Sequence, residues 1–442
     1  MRNALIAILL LSSYVADAQI KASYGTEPPR SEIRPYATPA EAVKRPEGAS
    51  RYISPLSEWQ RDGKEGRTIF SASYVYPIAW LNRQLLLRIE AASAGYRVVI
   101  NGSEIGRASN GAVPTEFNLT KRSKQGINEI SLILDTPTEG EPLLKTGVAW
   151  IGRAEVLSQP TIRLREATHY TRLNDAGDGI AEISLAVKTD ALNPKTSRIY
   201  YELLAPDTTR LAYGYKDITL EMRGEDTVKF AAIIPRDKLW STDNPVLLTL
   251  TVRNRIDGKY AETVAIPTGL HSTEYASGRL VVNGKPVSLK IATVEPNVTV
   301  SDLAELKSEG INTVTVKAGE APLSLYSVCD SVGMYVIPQL AADTSEGGES
   351  IKRGGNPSND PSMTAEYLDR AAAMYHTSKT HPSVIAFSLG GGRTNGINMY
   401  ETYLALKRSE HGRPIIYTGA GREWNNDAFD MRYADKYAGA ER

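Results

Sequence analysis

Residues 299–318, TVSDLAELKSEGINTVTVKA, read as a helix followed directly by a strand. Thr299 or Ser301 supplies a side-chain oxygen for the free N–H groups of the first turn, and Gly310 ends the helix. The strand then starts at Ile311. The same alternation runs outward in both directions. Upstream, GRLVVNGKPVSLKIATVE (278–295) is a hairpin leading into a buried strand. Downstream, PLSLYSVCDSVG (322–333) is a helix and MYVIPQLAA (334–342) a strand. A Gly-, Ser- and Asn-rich loop spans 342–362. TAEYLDRAAAMYHTSKT (364–380) is a helix, SVIAFSLG (383–390) a strand, NMYETYLALKRSE (398–410) a helix and PIIYTGA (414–420) a strand. Strands separated by helices predict a parallel sheet, here a (β/α) barrel. About five strands can be counted, and a closed barrel of this kind takes eight.

The region before it is patterned differently. Over 51–158, short alternating strands such as QLLLRIEAA (84–92), GYRVVING (95–102) and NEISLILD (128–135) are punctuated by turn signals. Asn101-Gly102 predicts a tight hairpin turn. A jelly-roll sandwich is expected here. Over 159–274, about seven strands, among them AEISLAVKT (181–189) and VLLTLTVRN (246–254), predict an immunoglobulin-like sandwich. Residues 19–50, rich in Pro, Glu, Ala and Arg, predict an extended or disordered lead-in. Residues 275–442 form the partial barrel.

Arg2, the apolar run Ala4–Leu11 and the small-residue site Ala16-Asp17-Ala18 read as a secretory signal over residues 1–18, with Gln19 as the mature start. No cysteine follows that site, so a lipid anchor there is excluded, and no later run is apolar enough to span a membrane. A secreted or periplasmic product is expected. The 442-residue chain, with 41% hydrophobic and 23% charged residues, has the make-up of about three folded domains. Lys+Arg and Asp+Glu are equal at 51 each, and no basic run stands out, which argues against a nucleic-acid partner. The single cysteine, Cys329, lies on the apolar face of its helix and reads as a buried structural thiol. His169, His271, His376 and His411 lack metal-ligand spacing, so neither metal nor cofactor is expected. Asn101, Asn118 and Asn297 open N-x-[ST] sequons.

Four stretches in order resemble the N-terminal part of glycoside hydrolase family 2, the β-galactosidase, β-glucuronidase and β-mannosidase group. They are VVINGSEIGRASNGAVPTEFNLT (98–120), LWSTDNPVLLTLTV (239–252), GLHSTEYASGRLVVNGKPVSLK (269–290) and HPSVIAFSLGGG (381–392). The resemblance covers roughly 51–435. It implies a sugar-binding-like jelly roll, an immunoglobulin-like sandwich and a catalytic (β/α)8 barrel. Retaining glycosidases need two carboxyl groups flanking the scissile bond, one protonating the leaving oxygen and one attacking the anomeric carbon. The family's acid/base is the Glu of an Asn-Glu pair after Ser-Leu-Gly. Those positions are Gly391 and Gly392 here, and glycine has no proton to give. The resemblance places the family's nucleophile on a later strand, expected beyond Arg442.

Other strand tips depart too: KIATVEP (290–296), TVKAGEAP (315–322) and Pro338-Gln339 replace the family's polar motifs. The expected product is a catalytically dead relative acting as a carbohydrate-binding or scaffold protein. An active glycosidase with relocated carboxylates is the alternative, with Glu320 and either Glu423 or Asp427 as its candidates. A fragment or half of a split glycosidase is another. Glu295 and Glu401 are further carboxylates, the latter on a helix facing away from the strand ends. Trp424, Arg393 and Asn395 are the candidate ligand contacts. Gly390–Gly392 as a phosphate cradle lacks the Gly-Lys-[Ser/Thr] that would complete it. His381 opens its strand, where a structural bond is expected. An open sheet edge calls for cover from the C-terminal segment, the second sandwich or a protein partner. Carbohydrate and such a protein are the expected partners.

Overall fold

The computed structural model describes residues 28, 30–44, 49–64, 67–135, 149–276, 278–319, 321–342, 352–391, 394–427 and 431–433. The signal segment read at residues 1–18, together with Glu320, Gly392 and Arg393, lies outside the described residues.

The first unit is two antiparallel sheets facing each other. One holds Ile53–Pro55, Ala154–Gln159, Gln84–Ile89 and Thr115–Asn118 in that spatial order. The other holds Gln60–Lys64, Arg67–Tyr76, Gly126–Leu134, Tyr96–Ile100 and Ser103–Ala108. Period-two alternation decides the facing. Along Gly126–Leu134, Ile130 and Leu132 are buried while Ile127 and Glu129 are exposed. They meet Leu85, Leu87, Phe117 and Val156 from the opposite sheet in one core. Asn101 and Gly102 sit at φ 47° and 79° and join Ile100 to Ser103, the left-handed pair that a two-residue hairpin turn requires.

The second unit repeats the plan. A sheet of Ile162–Leu173, Gly179–Thr189 and Glu225–Ile234 packs on one ordered Arg210–Leu220, Lys195–Leu204, Leu248–Ile256, Lys259–Thr268. Ile183, Leu185, Phe230, Ile199, Leu203, Leu250 and Val252 fill the space between.

A hairpin, Arg279–Val282 with Lys285–Val287, leads into the parallel sheet. Its first five strands in chain order are Leu289–Thr293, Thr313–Lys317, Tyr335–Gln339, Phe387–Ser388 and Ile415–Ile416, adjacent in that order. Helices Val300–Ser308, Ser324–Val332, Thr364–Ser378 and Ile397–Ser409 connect them. Thr299 caps the first helix in a reciprocal box with Asp302, and Gly310 follows its end at φ 82°. Cys329 is fully buried in the second, and burial pushes its thiol far up, as a structural thiol requires. Leu303, Leu325, Tyr367 and Leu406 cover one face of the sheet. On the other face Leu289, Ile291, Tyr335, Ile337 and Ile416 pack with Leu280 and Val282 of the hairpin and with Trp240.

A sixth strand, Met431–Tyr433, corrects the count of about five. It lies parallel to the first strand (Leu289↔Met431, Ile291↔Tyr433), at the opposite edge from the fifth. Three residues are too few for a periodic signal, so the sequence pattern passes over it.

Residues 30–36 run across all three units. Arg30 pairs with Glu166 at 2.8 Å, and Ser31 bonds to Thr380 at 2.9 Å. Arg34 reaches Glu155 at 3.3 Å, and Tyr36 exchanges backbone bonds with Thr263. Ile33 and Tyr36 are buried. Charged residues in this lead-in therefore meet partners inside the structure rather than water.

Candidate functional site

Parallel strands of this kind present their C-terminal ends at one mouth. The first strand ends at Thr293, with Glu295 exposed beyond it. Past the second strand the backbone turns at Gly319, φ 85°. A Cβ there would lie 2.4 Å from the Ala112 carbonyl oxygen, so glycine is what lets the first unit press against the strand end. Past the third, Arg370 donates to Ala341 O at 2.7 Å while Glu366 holds its other nitrogens.

The fourth strand carries the decisive tip. Leu389 N–H donates to Ile416 O at 2.8 Å, so the tip stays in the sheet. Gly390 N–H then donates to Ser388 Oγ at 3.1 Å, with φ at 95°. Gly391 follows, exposed. Around this turn lies a set of buried neutral groups. Tyr417 OH donates to Thr394 O at 2.5 Å, Thr394 Oγ1 to Asn356 Oδ1 at 2.9 Å, and Ser358 Oγ to Thr394 Oγ1 at 3.0 Å. Such a network fixes loops and contains no carboxyl group. Three separate loops build it, so no spacing in the sequence points to it. Asn356-Pro357 reads only as a turn.

Asn395 forms a reciprocal amide pair with buried Asn425, at 3.0 and 2.8 Å, and donates to Tyr400 OH at 3.1 Å. Trp424 is 56% exposed, its ring centroid 5.2 Å from Tyr400 and 5.9 Å from Tyr403. Glu423 is exposed, and its charge adds to desolvation in raising the Tyr400 phenol. Glu401 lies half-buried within its helix.

Asp427 departs from expectation. It was placed on the mouth side, yet the chain turns back along the fifth strand. Asn426 Oδ1 accepts from Tyr417 N at 2.9 Å. Asp427 Oδ2 accepts from Ile415 N at 2.8 Å, and Asp427 N donates to Ile415 O at 2.8 Å. Its carboxylate also takes Tyr403 OH at 2.8 Å and Lys407 Nζ at 3.0 Å. Asp427 thus caps the free edge at the start of the strand. An unpaired edge N–H exerts a stronger pull on a carboxylate than an open mouth does.

His381 sits at the other end of the fourth strand. Its Nδ1 lies 2.6 Å from Asp330 Oδ2, while Asp330 Oδ1 accepts from Ser383 N at 3.0 Å and Asp330 O from Trp240 Nε1 at 2.8 Å. This is a structural tie between helix, strand and second unit. Among the described residues no group of three or more His, Cys, Asp or Glu is placed to hold a metal ion, and no helix is long and apolar enough to cross a membrane.

Residues 285–441 match the family model for the TIM barrel domain of glycosyl hydrolases family 2. The β-galactosidase of Psychromonas ingrahamii is 23% identical over 378 residues, covering 80% of this chain and 36% of its own length. That of Oenococcus oeni is 28% identical over 351 residues, covering 74% and 33%. The barrel part of the chain, residues 285–441, thus matches glycoside hydrolase family 2. Solved structures share its fold. Bacteroides uniformis β-glucuronidase 2, covalently bound to cyclophellitol-6-carboxylate aziridine, aligns with TM-score 0.68 at 16% identity, over 80% of this chain and 47% of its own. A putative β-galactosidase from Bacteroides fragilis aligns with TM-score 0.66 at 15% identity, over 90% and 63%. The chain spans about a third of the length of these curated relatives.

Proposed function

We propose that this family 2 chain is a secreted, catalytically silent relative whose barrel serves as a carbohydrate-binding or protein-scaffold component. In this reading 51–158 is the jelly roll, 159–274 the immunoglobulin-like sandwich and 275–442 the barrel. One observation carries it. In the sequence after Ser388-Leu389-Gly390, the positions where the family pattern has Asn-Glu are Gly391 and Gly392, and neither has a side chain able to protonate a leaving oxygen. The neighbouring groups Asn356, Ser358, Thr394 and Tyr417 are neutral and bonded to one another. Trp424 supports the sugar-binding half. Its ring is exposed yet braced by two tyrosines, a rigid platform for the apolar face of a pyranose.

The test is turnover of aryl β-galactoside, β-glucuronide and β-mannoside by the purified chain, with monosaccharide titrations followed by tryptophan fluorescence. No hydrolysis above buffer, and a sugar response lost in Trp424→Ala, are expected. Hydrolysis abolished by Glu423→Gln or Glu320→Gln would establish the relocated-carboxylate alternative instead.

A further inference from the structure

The outer face of the four-stranded sheet in the second unit carries a row of tyrosines and arginines. Inward-pointing Ile199, Leu203, Leu250 and Val252 are buried. The alternate positions point to solvent. Tyr200 lies opposite Tyr215 on one side and Arg253 on the other, and Arg255 lies opposite Tyr260. Tyr213, Tyr215 and Tyr260 are 70%, 55% and 52% exposed. Ring centroids are 5.6 Å apart for Tyr200–Tyr215 and 5.8 Å for Tyr200–Tyr260. Arg253 lies 5.1 Å from the centre of Tyr260 and 5.5 Å from that of Tyr200, and Arg255 donates to Tyr200 OH at 3.4 Å. The neighbouring part of the face is covered by the chain itself, where Tyr36 and Ala42 pack on Ala265. Among the described residues, Tyr213, Tyr215 and Tyr260 lie outside that cover and are exposed.

Charge selects what suits it. Arg198 pairs with Asp217 at 2.6 Å and Arg210 with Glu202 at 2.6 Å. Arg253 and Arg255 have no carboxylate partner among the described residues. The face therefore carries two uncompensated guanidinium groups in a chain whose formal charge is zero. A guanidinium presents a planar fork that matches a carboxylate, and a tyrosine ring held by neighbours loses little freedom on stacking. A protein partner would favour a core sealed from water and depleted of Glu and Asp, and this face carries Glu202 and Asp217 beside its rings. A nucleic acid would call for more positive charge than two groups, and Glu202 and Asp217 on the same face oppose it.

We propose that this face binds an acidic polysaccharide, with the tyrosines stacking on successive sugar rings and Arg253 and Arg255 pairing with its carboxylates. The inference does not depend on the barrel-mouth reading, because hydrolysis is read at the strand ends and binding at this sheet.

The experiment titrates the full chain with polygalacturonate, with neutral dextran and a single-stranded oligothymidylate as the other probes. Polygalacturonate is expected to bind, more weakly as salt rises, with dextran silent. Arg253→Ala/Arg255→Ala and Tyr213→Ala/Tyr215→Ala should each lose about tenfold or more in affinity. Arg253→Lys/Arg255→Lys should lose part of it, since the charge stays and the fork goes. Protection of Arg253 and Arg255 from phenylglyoxal by polygalacturonate gives a readout on the unsubstituted chain. Absent binding, affinity unchanged in both alanine pairs, no protection, or tighter binding of oligothymidylate would each overturn the proposal. So would a self-associated chain that the same substitutions turn into monomer.

Discussion

Asp427→Ala separates an edge cap from a catalytic carboxylate. The substitution removes the acceptor for Ile415 N–H, Tyr403 OH and Lys407 Nζ together. Loss of a carboxylate bonded to a buried backbone N–H costs about 1.5–3 kcal/mol. The Tyr403 hydroxyl adds about 1 kcal/mol. Lys407 is about one-third exposed, so its ion pair adds at most ~0.5 kcal/mol. The sum is about 2.5–4.5 kcal/mol, read as a fall in the urea midpoint at unchanged slope. Asp427→Asn keeps one acceptor for Ile415 N–H and should lose about half as much. The freed N–H belongs to a strand edge, so light scattering should also show concentration-dependent association of the alanine variant. A loss below about 1 kcal/mol, with no change in association, would refute the edge-cap reasoning. If instead the variant kept its stability and lost a measurable hydrolysis, Asp427 would return as a catalytic candidate.

Two further outcomes follow from buried groups. Burial pushes His169, His271 and His376 down to about 4. Arg413 opposes the charged forms of the first two and Lys379 that of the third, with Asp330 partly offsetting this at His169 and Glu166 at His376. In the unfolded chain each histidine takes its proton near its ordinary value, so unfolding binds protons and stability falls as pH drops from about 6.5 to about 4. Each contributes a slope of at most ~1.4 kcal/mol per pH unit, less for its partial exposure. Glu90 and Glu262, raised by burial, act with the opposite sign. The check is therefore a difference: His271→Gln should flatten the denaturation-versus-pH curve above pH 4, and an unchanged slope would contradict it. Asp330→Ala strips acceptors from Ser383 N–H and His381 and should cost about 2–4 kcal/mol in denaturant, with Asp330→Asn clearly milder. Equal losses in the two would show that the carboxylate geometry is irrelevant.

Much of the fold was legible because it rests on local chemistry. Thr299 or Ser301, Gly310, and Asn101-Gly102 each declare a cap or turn locally, and the structure settles the cap on Thr299. The alternation in 126–134 declares its buried face. The Gly391-Gly392 departure was also legible, since it lies inside a recognisable stretch. What escaped depends on distance along the chain. Asp427 was read from its place after a strand, and nothing local says that the chain doubles back to serve Ile415. Met431–Tyr433 was too short for any period to show. The Tyr417–Thr394–Asn356 network joins loops far apart in sequence, as does the tie from Asp330 to His381.

The segment 30–36 has a consequence for the order of folding. Its partners lie at Glu155, Glu166, Thr263 and Thr380, far later in the chain. During synthesis this segment emerges before any of them and waits while domains fold as units behind it. Its docking closes loops of well over a hundred residues, the slow and non-local kind of contact. A stretch made before all its partners is therefore fixed only after them, and a ribosome-bound chain ending before Thr380 would present Arg30 and Ser31 with only part of their final surroundings.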